Sequence, residues 1–349
     1  MRRATTLTLL FALVLTSGLA AWPQDEPVQQ ESVLLRLKFA PGETMRYRVY
    51  AKADGLVRMD MPIPIPMPEA QMPGQVPVDM VIQGEGAAKV LRVDEAGAGR
   101  LSIKADSMSL KMNMFGQKLE MSLKGGKYVV KQDGEQVEAG KIPLAPAGEK
   151  IPFVQEPIEV KLSPRGQVLD LVIPGLEEVM ATMMQGLSLE DLMKQQVLLP
   201  EEPLTVGQTW GESKTEMVPG LNAPVTYDVK ATLRQIEAWS GERKIANLRV
   251  EATTSAHDID LSQMMQMPLE MQQGGEGMPP MPQMAGTMSI DQQLAGTMLF
   301  DATRGILIRF DFQVDQQMSM RSTTAMPEQG ELTMSMDMRL AVKGAVAKI

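Results

Sequence analysis

The stretch Met334-Ser335-Met336-Asp337-Met338-Arg339-Leu340-Ala341-Val342 decides the fold. Apolar side chains fall on every even position, with serine, aspartate and arginine between them. Side chains alternate between the two faces of a strand, so this period of two describes one buried and one wet face. Leu35, Leu37 and Phe39 repeat the pattern, as do Met45, Tyr47 and Val49. Met108, Leu110, Met112 and Met114 repeat it again, and so do Ile306, Ile308, Phe310, Phe312 and Val314. A half-wet strand of this kind is the unit of antiparallel sheets.

Turn residues separate the runs. Pro41-Gly42, Asp94 to Gly99, Gly125-Gly126, Asp133-Gly134, Pro164 to Gly166, Ser240-Gly241 and Arg304-Gly305 each sit between apolar stretches and read as hairpin turns. Around 174–197 the period changes. Leu176, Val179, Met180, Met183, Met184 and Leu187 form one stripe at helical spacing, and Ser188 with Asp191 resembles a capping box. Two stretches are biased in composition. Met59 to Val78 is rich in Met and Pro, and Met264 to Met288 in Met, Gln, Gly and Pro; both read as long loops. Gly42-Glu43-Thr44 before Tyr47 resembles Gly207-Gln208-Thr209 before Trp210, and Val90 to Ile103 resembles Leu233 to Leu248. Either an internal duplication or the general likeness of one β-meander to another accounts for both pairs.

The expected fold is therefore mainly β, with curved antiparallel sheets in two repeated lobes and one helical insertion around 174–197. The expected boundaries are a signal peptide at 1–21, an N-terminal β lobe at 32–158 carrying loop 59–78, and a unit at 159–349. That second unit holds the helical insertion, a C-terminal β lobe and loop 264–288. The leader is read from Arg2 and Arg3, the apolar run Leu7 to Leu15, and small residues up to a cleavage point near Ala20/Ala21. It predicts a secreted or periplasmic protein that is soluble once the leader is removed. No later stretch approaches the ~18 apolar residues of a membrane helix.

Composition excludes several classes of function. The 349 residues contain no cysteine, so disulfides, thiol nucleophiles and thiolate metal sites are ruled out. With 34 Lys+Arg against 43 Asp+Glu, the chain lacks the basic balance that nucleic acid binding needs. The single histidine, His257, stands beside Asp258 and Asp260 and reads as a polar strand end. Gly97-Ala98-Gly99 lacks the third glycine of a dinucleotide loop, and no nucleophile motif or phosphate loop occurs. No catalytic residue, cofactor or enzymatic activity is expected.

Several segments together resemble a family of uncharacterised secreted bacterial β-rich proteins, a domain of unknown function. They are Gly42 to Tyr47, Val90 to Glu95, Met108 to Met121, Lys161 to Leu169 and Leu199 to Trp210. The resemblance implies a secreted β-rich protein and carries no activity. At the level of architecture the chain is also similar to lipoprotein-carrier folds, in which a curved sheet wraps helices around an apolar cavity. Pro164-Arg165-Gly166 also reads as a plain turn, and Trp210 as a core anchor.

Three functions follow as expectations. In the first, the sheet and the stripe Met180, Met183, Met184 and Leu187 line a cavity for an apolar small molecule or lipid. In the second, Met264, Met265, Met267 and Met271 bind Cu(I), because thioethers suit that soft ion. In the third, the chain is a structural or interaction protein of the cell envelope. The 31 methionines are also adaptable core fillers, which accounts for Met108, Met112, Met114, Met334, Met336 and Met338 without metal.

Overall fold

The computed structural model describes residues 31–60, 74–114, 116–124, 127–137, 156–174, 198–218, 223–239, 241–261, 284–326 and 330–349. The expected signal peptide, and the helical stripe at 175–197, lie outside the described residues. The fold is mainly β, as the alternation predicts. Its strands are β1 (Ser32–Val33), β2 (Thr44–Asp60), β3 (Gln75–Val93), β4 (Gly99–Met114), β5 (Gln117–Lys124), β6 (Lys127–Gln132), β7 (Glu135–Val137), β8 (Ile158–Leu162), β9 (Val168–Val172), β10 (Leu204–Thr205), β11 (Thr209–Val218), β12 (Ala223–Trp239), β13 (Arg243–Asp260), β14 (Met284–Asp301), β15 (Ile306–Met326) and β16 (Gly330–Lys348).

One 14-stranded antiparallel sheet takes up all but β1 and β10, which pair with each other. Its order is β11 to β16 followed by β2 to β7, with β8 and β9 attached beside β4. Two six-stranded meanders thus stand end to end, joined where β16 pairs with β2 from Ser335–Asp60 to Lys348–Tyr47. The sheet runs unbroken across the boundary expected near residue 158, and the β8–β9 hairpin pairs with β4 of the first meander.

The two meanders open identically. Gly42 and Gly207 both have positive φ, +81° and +91°, a conformation that favours glycine. The Gly42 amide donates to the Val90 carbonyl at 2.9 Å, and the Gly207 amide donates to Leu233 at 2.7 Å. The Val90 amide returns to the Glu43 carbonyl at 2.8 Å, and Leu233 to Gln208 at 3.0 Å. A register shift follows each anchor, at Val90/Arg92 and at Leu233/Gln235. The repeated Gly-x-Thr stretch is therefore a repeated structural device.

The sheet curls. The amides of the consecutive residues Leu37 and Lys38 donate to the carbonyls of Pro164 and Gly305, at 2.7 and 3.2 Å. One residue step separates these donors, so the two acceptors sit within roughly 10 Å of each other. Along the sheet the path from β8 through β4, β3, β2 and β16 to β15 is five strand spacings, or about 24 Å. Only a curled sheet brings these turns together. The strap from Val33 to Phe39 crosses that end, with Leu35 fully buried. The strap corrects one expectation. Leu35, Leu37 and Phe39 alternate and face inward, but beyond Val33 they join no strand.

Both stretches read as loops from composition begin or end within strands. Met59 and Asp60 belong to β2, Gln75 to Val78 to β3, and Met284 to Met288 to β14. Pro77 fits because it lies one residue past the point where β4 stops pairing with β3, at Val78–Met114. The predicted strand at Ile306 also contains a bulge. Phe300 pairs with Leu307 and Leu299 with Arg309, which leaves Ile308 out of register.

The main core lies between the strap and the inner face of the sheet. Leu35, Leu233, Leu248, Val250, Phe300 and Phe310 are among its most buried members, and Leu37, Leu199 and Trp210 pack against it. Trp210 is the anchor expected from the sequence, and its Nε1 donates to the Leu198 carbonyl at 3.0 Å. Phe310 and Phe312 stack at 5.7 Å. Their rings lie over Gly296 and Gly344 on the flanking strands, where any side chain would collide with them. Asp301, 1 % exposed, ties the β14–β15 turn. It accepts from Arg243 Nε at 2.6 Å and from the Arg304 amide at 2.9 Å.

Candidate ligand-binding face

The register divides the inner face into three zones. The first, at the strapped end, is the main core. The second is a row of polar side chains across five neighbouring strands. Lys214 pairs with Tyr227, Tyr227 with Thr254, Thr254 with Gln292 and Gln292 with Gln316. The row meets the core at Leu340, the partner of Gln316 on β16. Gln316 is only 5 % exposed.

Beyond the polar row lies the third zone, where methionine dominates. Met288, Met320, Met336 and Met59 are direct cross-strand partners on β14, β15, β16 and β2. The row before it is Ile290, Met318, Met338 and Val57. Met318, Met336 and Val57 are buried, and the other five are partly buried against them. Every described residue in this cluster comes from the sheet itself. The strap and the 198–205 segment make their backbone contacts at the other end of the strands. One row further on, the buried Ser322 hydroxyl has no hydrogen-bond partner among the described residues.

The outer face is different in kind. Its charges close on the surface, some two residues apart on one strand, as Lys52–Asp54 at 2.6 Å, Lys230–Asp228 at 2.8 Å and Arg309–Asp311 at 2.8 Å, and others across strands, as Arg48–Glu85 at 2.7 Å. The Asp54 carboxyl is held below the usual carboxylate range, chiefly by its hydrogen bond to Lys52. A shallow depression of about 240 Å³ on this face is lined by Leu56, Arg58, Asp291, Gln317, Asp337 and Arg339, among others. His257 stands near the end of β13, as expected, with Nε2 3.4 Å from Asp291 Oδ1. Among the described residues no three His, Asp or Glu side chains group as metal ligands.

The residues singled out from sequence for ligand lining, Met180, Met183, Met184 and Leu187, lie outside the described residues. So do the copper candidates Met264, Met265, Met267 and Met271. The inner-face methionines were visible in the sequence as strand alternation, and their assembly into rows was not. Rows depend on which strands are neighbours, and pattern within one strand does not carry that.

No family model matches the chain, and no curated protein matches it. Among solved structures it is similar to Pseudomonas aeruginosa OccK5 (OpdH), at 8% identity over 87% of this chain and 98% of that one, with a TM-score of 0.17. It is also similar to OccK7 (OpdD) of the same organism, at 6% identity over 88% and 99%, TM-score 0.19. A third is Pseudomonas aeruginosa OpdQ, at 6% over 87% and 99%, TM-score 0.16. Likeness at this level carries no argument about function. Among the described residues no helix is long and apolar enough to cross a membrane.

Proposed function

We propose that this chain is a secreted or periplasmic, non-enzymatic binding protein that holds an apolar, lipid-class molecule against the inner face of its sheet. One observation carries the reading: the inner face stays apolar beyond the polar row, past the reach of the strap that covers the core. A soluble chain needs an apolar face of this size covered, and a lipid chain is one such cover. Methionine suits the task, because its unbranched thioether side chain adapts to flexible ligands. The polar row supplies hydrogen-bonding groups at one end of the apolar zone, as small-molecule sites commonly do. Arg2, Arg3 and the apolar run after them support secretion.

The test is native mass spectrometry of mature protein purified gently from its own cell envelope, followed by uptake of a fluorescent fatty-acyl probe by the stripped protein. The expected result is an adduct in the lipid mass range. Met338→Gln, at a partly buried position of the apolar zone, should weaken probe uptake at least tenfold with the circular dichroism spectrum unchanged. A bare protein that takes up no probe would overturn the reading.

A further inference from the structure

We infer that the row Met288–Met320–Met336–Met59 is a thioether site for a soft monovalent cation, Cu(I) or its redox-stable analogue Ag(I). The composition of the face points there first. Six of the nine members of this cluster are methionine, against two of the twenty-eight members of the main core counted the same way. A need for apolar filling alone would distribute methionine along both zones. The register supplies the geometry. Direct cross-strand partners hold their Cβ atoms about 5 Å apart, and a methionine side chain has three rotatable bonds. Sulfurs from three adjacent strands can therefore lean onto one ion lying on the face.

The chemistry selects the ion. Neutral thioethers are soft donors that suit Cu(I) and bind magnesium, calcium or manganese poorly. The formal net charge of −9 draws cations toward the molecule. A thioether loses no proton on binding, so the affinity of this site stays level down to pH 5, where proton competition weakens imidazole and thiolate sites. The inference goes beyond the apolar-ligand reading and is independent of it, since it concerns the stripped protein.

The experiment titrates Ag(I) into lipid-stripped mature chain at pH 7 and pH 5, read by native mass spectrometry and calorimetry. The expected result is one tight Ag(I) per chain at both pH values. The combined variant Met59→Leu, Met288→Leu, Met320→Leu and Met336→Leu keeps volume and apolarity, and should lose at least a hundredfold in affinity. A wild-type chain that binds no Ag(I), or a folded variant that binds it equally well, overturns the site. Should the variant fail to fold, the wild-type chain still decides. Bound Ag(I) should shield the partly buried Met59 and Met320 from peroxide oxidation in a peptide map, and equal oxidation of these two with and without Ag(I) overturns the site. Loss of acyl-probe uptake does not bear on it.

Discussion

A single residue at the strapped end links the fold to pH. Tyr47 lies on the inner face, packed against the small cluster of Met45, Val90, Leu101 and Ile306. Its hydroxyl donates to the Leu307 carbonyl at 3.5 Å. Burial, and then the nearby Glu43 carboxylate, push its pKa up to about 12 from an ordinary 10. The folded state thus resists losing this proton, while the unfolded chain gives it up near pH 10. The stabilisation is complete below pH 10 and is lost as pH rises through 12. Its size is roughly 2 to 3 kcal/mol. Chemical denaturation from pH 9 to 12 should show this loss in the wild-type chain. Tyr47→Phe should flatten it; an identical pH slope in the variant would show that the titrating group is elsewhere.

Among the elements, β11 has the most exposed task, because it ends the sheet and its outer edge has no strand beside it among the described residues. Free edges invite pairing with another chain, and inward-pointing charges are a known defence. Glu212, Lys214 and Glu216 pair with Val229, Tyr227 and Val225, which sets them on the same face as Trp210. Lys214 and Glu216 form an ion pair there. Replacing Glu212, Lys214 and Glu216 by valine would complete an apolar edge strand, and self-association should strengthen at least tenfold in sedimentation velocity runs. Unchanged sedimentation would mean that another device guards the edge. Element type was well written in the sequence, because alternation reports which side chains are buried. It does not report pairing. Leu35 and Leu37 alternate as well as Phe310 and Phe312 do, yet the first pair belongs to a strap and the second to a central strand. Composition misled at Met59, Pro77 and Met288, where residues read as loop extend strands whose neighbours supply the hydrogen bonds. The methionine rows needed four strands in register, and the turns that fix that register act only after the strands have met.

On the scale of the whole molecule, the question is whether two repeated meanders behave as one body. The strap crosses from the β8–β9 turn to the β14–β15 turn, so it ties the first meander's side of the sheet to the second. The seam of β16 with β2 joins them over fourteen residue pairs. Near the middle of that seam's strapped half, Gly344 lies under the Phe312 ring, and a Cβ there would stand 2.5 Å from the ring and 2.7 Å from the Tyr50 carbonyl oxygen. Gly344→Val therefore pushes the second meander's aromatic core and the first meander's opening strand apart at once. Overpacking of this kind costs roughly 3 kcal/mol. If the meanders form one cooperative unit, that cost falls on both. Urea unfolding followed by tryptophan fluorescence, with Trp22 replaced by phenylalanine, reports the second meander, which holds Trp210 and Trp239. Hydrogen exchange of β3 amides reports the first. The two midpoints should fall together in the variant. A lowered tryptophan midpoint with β3 protection intact would show that each meander folds alone, and the strap would then be only a tether.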